Sequence, residues 1–185
     1  SGTYILTGWL FVSALNPTQV AAATTNLWTN SISSIWRVAT NWSAAQAPST
    51  NHDVILLNNA GTKTVTIDLA TPAADLSVRS LIVSAPAGST NTLALVNVPL
   101  GTPLTTSRPL IIDRRGALHA TNSALVAQDT FDLYAGNLVL AGGTVDATQS
   151  GGGTGIRVGR LNGETATMTL VGGTITATRF TFGSI

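Results

Sequence analysis

The chain has 185 residues, of which 44% are apolar, enough for one domain with a real core. Only 9% of it is charged, against ~25% in an ordinary soluble protein, and the net charge of +1 comes from scattered residues. That excludes an electrostatic footprint for nucleic acid, and the lack of cysteine excludes a disulfide scaffold and a thiolate metal site.

The first predicted element is the apolar segment Tyr4–Leu15. Tyr4, Leu6, Leu10 and Val12 fall on one alternating face, and Ile5, Trp9, Phe11 and Leu15 on the other. A strand of this kind needs cover on both faces. The segment is too short for a transmembrane helix, so no membrane span is expected. It has the length of a signal-peptide core, and Ala21-Ala22-Ala23 has the small residues of a cleavage site. It also suits a strand or helix packed in its own subunit or an arm inserted into a neighbour; the arm is the reading carried forward. Residues 1–25 are assigned to this arm and its linker.

Residues 26–52 hold Trp28, Trp36 and Trp42, too many tryptophans for a plain loop. A stack of strands needs its first layer covered, because bare edges recruit other chains. The segment is therefore read as a cap, and exposed rings for sugar stacking are the alternative. Asn41-Trp42-Ser43 is a formal N-glycosylation sequon at Asn41.

From Asp53 to Ile185 the pattern is short strands bounded by turns, with alternation plain in Val65-Thr-Ile67, Leu93-Ala-Leu95 and Met168-Thr-Leu170. No amphipathic helix of useful length is expected there. The 29 threonines are β-branched and suit strands, and with 15 serines they offer a surface that suits covalent or bound glycans, packing against other subunits, or a plain hydroxyl coat.

Within this region a phrase recurs. Asn137–Thr148 reads NLVLAGGTVDAT and Thr167–Thr178 reads TMTLVGGTITAT. A fainter copy, Gly116–Thr121 (GALHAT), aligns with Gly143–Thr148. Arg179-Phe-Thr-Phe-Gly183 likewise parallels Gly155-Ile-Arg-Val-Gly159. Repeats of ~20–50 residues mark units that stack and bury their apolar faces on each other. The fold expected is all-β: a right-handed parallel β-solenoid of about five coils of ~24–30 residues. Leu140 should stack on Leu170 and Val145 on Ile175. Phe180 and Phe182 should lie on the last strand, exposed for a subunit joint.

The Trp…Asn-Trp-Ser…Pro…Asp-Val opening, the TVTID strand, the later SLIV strand and the L-x-L-x-GGT-φ-x-A repeats resemble the secreted β-solenoid repeat proteins of Gram-negative bacteria. Many of those carry autotransporter-associated β-strand repeats or a PEP-CTERM sorting tail. The resemblance spans Trp28 to Ile185. It implies an exported bacterial protein, extracellular or held at the cell surface, of a kind that is surface-attached or matrix-forming and usually of no known activity.

An enzyme of the β-helix polysaccharide type needs clustered acids and cations on one face. Here the acids are strewn singly, and the best constellation is Asp113-Arg114-Arg115 beside Asp129, Asp132 or Asp146. His52 and His119 are far apart, with no third ligand suggested. Gly151-Gly-Gly-Thr-Gly155 lacks the Lys-Ser/Thr of a phosphate loop. No catalytic centre, metal or cofactor is expected. The function read from the sequence is a structural subunit that self-associates into a homo-polymer. The alternatives are an adhesin or glycan-binding module using Trp and Thr faces and, behind it, a polysaccharide-degrading enzyme.

Overall fold

The computed structural model describes residues 22–56, 61–148, 155–159 and 163–183. Among them there is no α-helix, only strands and two short 3-10 turns. A partial first turn carries β1 (Thr24–Leu27) and β2 (Ser34–Ile35). About five turns follow. They hold β3 (His52–Leu56), β4 (Lys63–Asp68) and β5 (Ser77–Val78); then β6 (Ser80–Val83), β7 (Asn91–Val96) and β8 (Leu104–Thr106); then β9 (Leu110–Ile112) with the long β10 (Gly116–Ala127); then β11 (Phe131–Leu133) with β12 (Asn137–Ala147); then β13 (Ile156–Val158) with β14 (Thr167–Ala177). A last strand, β15 (Phe180–Phe182), begins the next turn.

Each strand pairs in parallel with its counterpart one turn away, because the chain always returns to a face travelling in the same direction. The molecule is a parallel β-solenoid with three faces. The first face stacks β1, β3, β6, β9, β11, β13 and β15. The second stacks β2, β4, β7 and the leading halves of β10, β12 and β14. The third stacks β5, β8 and the trailing halves of those same long strands.

Alternation sends every second side chain inward, and stacking turns these into columns. On the first face Val54, Leu81, Leu110, Phe131 and Ile156 lie one above another, all fully buried. On the second, Ile67, Leu95, Ala120 and Leu140 do the same. On the third, Leu104, Leu125 and Val145 continue to Ile175. Burying each large member is worth ~1.5–3 kcal/mol before ordering costs. Leu140 pairs with Leu170 and Val145 with Ile175, and Ile156 and Val158 pair with Phe180 and Phe182, as the repeats imply.

Two expectations are corrected by the register. GALHAT does not stack on GGTVDAT. Thr121 pairs with Ala141, so Gly116–Thr121 lies on the second face while Gly143–Thr148 lies on the third. The turn from Leu118 to Leu138 is shorter than the repeat implies, because its two connections, 128–130 and 134–136, are tight. The corner matching Gly142-Gly143 is Asn122-Ser123, with Asn122 at φ 45°. The solenoid also begins before Asp53. β1 and β2 pair with β3 and β4, so the tryptophan segment is itself a partial turn.

The interior is not wholly apolar. Lys63 is 1% exposed at the corner between the first two faces, where Nζ donates to Gly61 O (2.8 Å) and Asn91 Oδ1 (3.3 Å). Asn91 Nδ2 in turn donates to Leu56 O and Ser84 O. Burial pulls the lysine pKa below its ordinary value.

Candidate functional site

The two ends of the stack differ. At the first turn, Trp28 and Trp36 each pack edge-on against Trp42, with ring centroids 5.0 Å apart in both pairs. Trp36 Nε1 donates to Asp75 O at 2.9 Å and Trp42 Nε1 to Trp36 O at 2.7 Å. All three rings are buried, so they offer no sugar-stacking platform.

Buried amides fasten the chain after β2 to this turn. Asn26 points inward over Val54, donates to Gln46 O and accepts from Ala44 N. Asn41 is 5% exposed. Its Nδ2 donates to Ser34 Oγ (3.0 Å) and Ile35 O (3.3 Å), and its Oδ1 accepts from Asn30. A sugar on Nδ2 of the Asn41 sequon would need to displace both bonds and enter the packed turn.

His52 closes the same network. Ser49 N–H donates to Nδ1 at 3.0 Å, which places the ring proton on Nε2. The Gln46 amide lies 3.1 Å from Nε2, so its oxygen end belongs at that contact. Burial holds the His52 pKa below its ordinary value. The folded state thus favours neutral imidazole. Stability present above the unfolded pKa of ~6.5 is lost as pH falls towards the lower folded value. The denaturation midpoint should drop between about pH 7.5 and pH 5, and His52→Gln should flatten that dependence. An unchanged slope in the variant would remove His52 from this role.

At the other side of the stack, core columns run onto an edge that nothing covers among the described residues. β14 and β15 are the outermost strands of their faces. Phe180 is 41% exposed and Phe182 70%, although the column mates beneath them, Ile156 and Val158, are buried. The two rings stack with centroids 6.4 Å apart. Leu170, which caps the column of Leu140, is also exposed. Phe180 and Phe182 stand where the sequence places them. The remaining interface candidates, Tyr4, Ile5, Leu6, Trp9, Leu10, Phe11, Val12 and Leu15, lie outside the described residues.

The charged residues singled out as a constellation are not brought together. Asp113, Asp129 and Asp146 each accept from backbone N–H groups in their own turns. Arg114 pairs with Glu164 at the surface, at 2.6 Å. Asp132 is 1% exposed and is held by Arg157 through a two-point contact, with Thr130 Oγ1 as a further donor. Among the described residues no group of three or more His, Cys, Asp or Glu is placed to hold a metal. No helix among them is long and apolar enough to cross a membrane.

A recess of ≈ 470 Å³ on the second face escaped the sequence reading. Its walls include Thr90 and Thr165, its floor Ala117, Ala135 and Gly136, and Arg115, His119 and Asn137 line it. It lies over the short connections 113–115 and 134–136, with Thr90 from the longer connection 84–90 on one side and Thr165 on the other. Only the register shows which connections are neighbours.

Compared with protein-family models, curated proteins and solved structures, the chain matches none. The resemblance to secreted β-solenoid proteins rests on its strand and glycine pattern alone.

Proposed function

We propose that this chain is a structural subunit of an extracellular fibre or matrix, joined head-to-tail through the apolar edge at β14 and β15. The observation that carries the reading is the exposure of core columns at β14 and β15, with Phe182 70% exposed above buried Val158. An edge strand presents unpaired backbone N–H and C=O groups, and apolar side chains beside it add a surface to cover.

The occupant we assign is the apolar segment Tyr4–Leu15 of a second copy. Strand addition gives main-chain hydrogen bonds, and alternating side chains fill the pockets beside them. One face of that segment would cover Phe180 and Phe182, and the other would face the next subunit. Because donor and acceptor surfaces differ, the contact is heterologous and propagates when it does not close. The extracellular setting is supported by low charge, abundant hydroxyls and the family resemblance.

Electron microscopy and sedimentation test the joint. The unaltered chain should form long polymers. Removal of residues 1–16, or Phe182→Asp at the acceptor edge, should leave folded monomers, since an unpaired charge at a covered site is costly. Normal filaments from both variants would overturn the joint. Antibody labelling of intact cells tests the location.

A further inference from the structure

We propose that the recess on the second face binds a linear acidic glycan, with a sugar carboxylate or sulfate on Arg115 and sugar hydroxyls on the threonines around it. The recess lies on the flank of the solenoid, so the proposal stands apart from the end-to-end joint. Its volume of ≈ 470 Å³ falls in the range of small-ligand sites, ~300–1,000 Å³.

The charge is specific. Arg114 is neutralised by Glu164, whereas Arg115 is exposed and has no ion pair or hydrogen-bonded side-chain partner among the described residues. Arg115 also sits at φ 59°, a left-handed conformation that a long side chain rarely adopts. From this tight corner Arg115 contributes to the lining of the recess. A guanidinium is well matched to a planar carboxylate or a sulfate through paired N–H donors.

The polar surface around it is periodic. One outward column runs Thr92, Ala117, Asn137, Thr167, and the next runs Ala94, His119, Val139, Thr169. Rungs repeat at ~4.8 Å, close to the advance of one pyranose along an extended glycan. Ala117 is a short side chain between the hydroxyl of Thr92 and the amide of Asn137. His119 is exposed between short neighbours, so its ring face and nitrogens are open to a sugar. The Asn137 side-chain oxygen is buried without a hydrogen-bond partner. Such an atom is costly, and a rotation about its broad terminal torsion turns it to a sugar hydroxyl. With no Phe, Tyr or Trp lining the recess and Arg115 its one unpaired cation among the described residues, a nucleic acid is a poor fit.

Calorimetry with three linear hexasaccharides tests this: hexagalacturonate, a heparin-derived sulfated hexamer, and neutral cellohexaose. At least one acidic hexamer should bind with a dissociation constant of about 1 mM or tighter, and cellohexaose about tenfold more weakly. Whichever acid binds identifies the anion. Arg115→Asn, chosen because asparagine tolerates this φ, should weaken binding about tenfold, and His119→Ala several-fold, with the fold intact by circular dichroism. Amide shifts should map to Thr92, Asn137 and Thr167. The proposal is overturned by the absence of saturable binding of either acid, by equal affinity for the neutral hexamer, by unchanged affinity in both variants, or by shifts that map to Arg79 and Arg108 on the first face.

Discussion

Gly143→Ala should lower the stability of the solenoid by ~3 kcal/mol, read as a fall in the denaturant midpoint. Two costs combine. Gly143 has φ 89°, where an L side chain is strained. Its added Cβ would also lie 2.1 Å from Ser123 O and 2.4 Å from Ser123 N, backbone atoms of the turn below. Relief would require the two turns to move apart, which breaks ladder bonds on both faces meeting at that corner. Gly163→Ala is the control. It shares a positive φ of 75° but its added Cβ meets nothing within 4 Å among the described residues, so it should cost only the conformational part, ~1 kcal/mol. Equal costs for the two variants would remove the steric argument for the corner.

Asp132→Ala should be the second large effect, ~3 kcal/mol or more, because it strands a partly buried cation. Asp132 sits in an outward column of the first face between Ile111 and Arg157. Its side chain is 1% exposed and that of Arg157 20%, so water can replace only part of the lost partner. The double variant Asp132→Leu, Arg157→Met should recover much of the loss, because a buried ion pair is hard to improve on but easy to orphan. By contrast Glu164→Ala removes an exposed partner from Arg114 and should leave the midpoint unchanged within error. A double variant no better than Asp132→Ala would show that the carboxylate does more than neutralise Arg157.

What the sequence made legible was the face each side chain takes within a strand. Period-two alternation needs no knowledge of neighbours, and the glycine pairs at 142–143 and 172–173 mark the same corner in two turns. That is why Leu140 and Leu170 could be paired in advance. Register failed where corners are built differently. Asn122-Ser123 does the work of Gly-Gly, so GALHAT was aligned with the wrong half of β12. The start of the solenoid was hidden because Asn26, a polar residue, occupies an inward position and is satisfied by Gln46 and Ala44. A sequon carries no information on burial, so the hydrogen bonds that hold the Asn41 side chain are invisible in it. The recess depends on which connections become neighbours, a property of the stack rather than of any segment.

The direction of the ladder bonds has a mechanical consequence. They run between turns, along the long axis, while covalent chain winds around it. Tension applied end to end therefore falls on hydrogen bonds and stacked side chains rather than on the backbone. Three faces share the load at each level, but the levels carry it in series. The molecule should yield one turn at a time at its weakest level, releasing slack with each step and absorbing work as it lengthens.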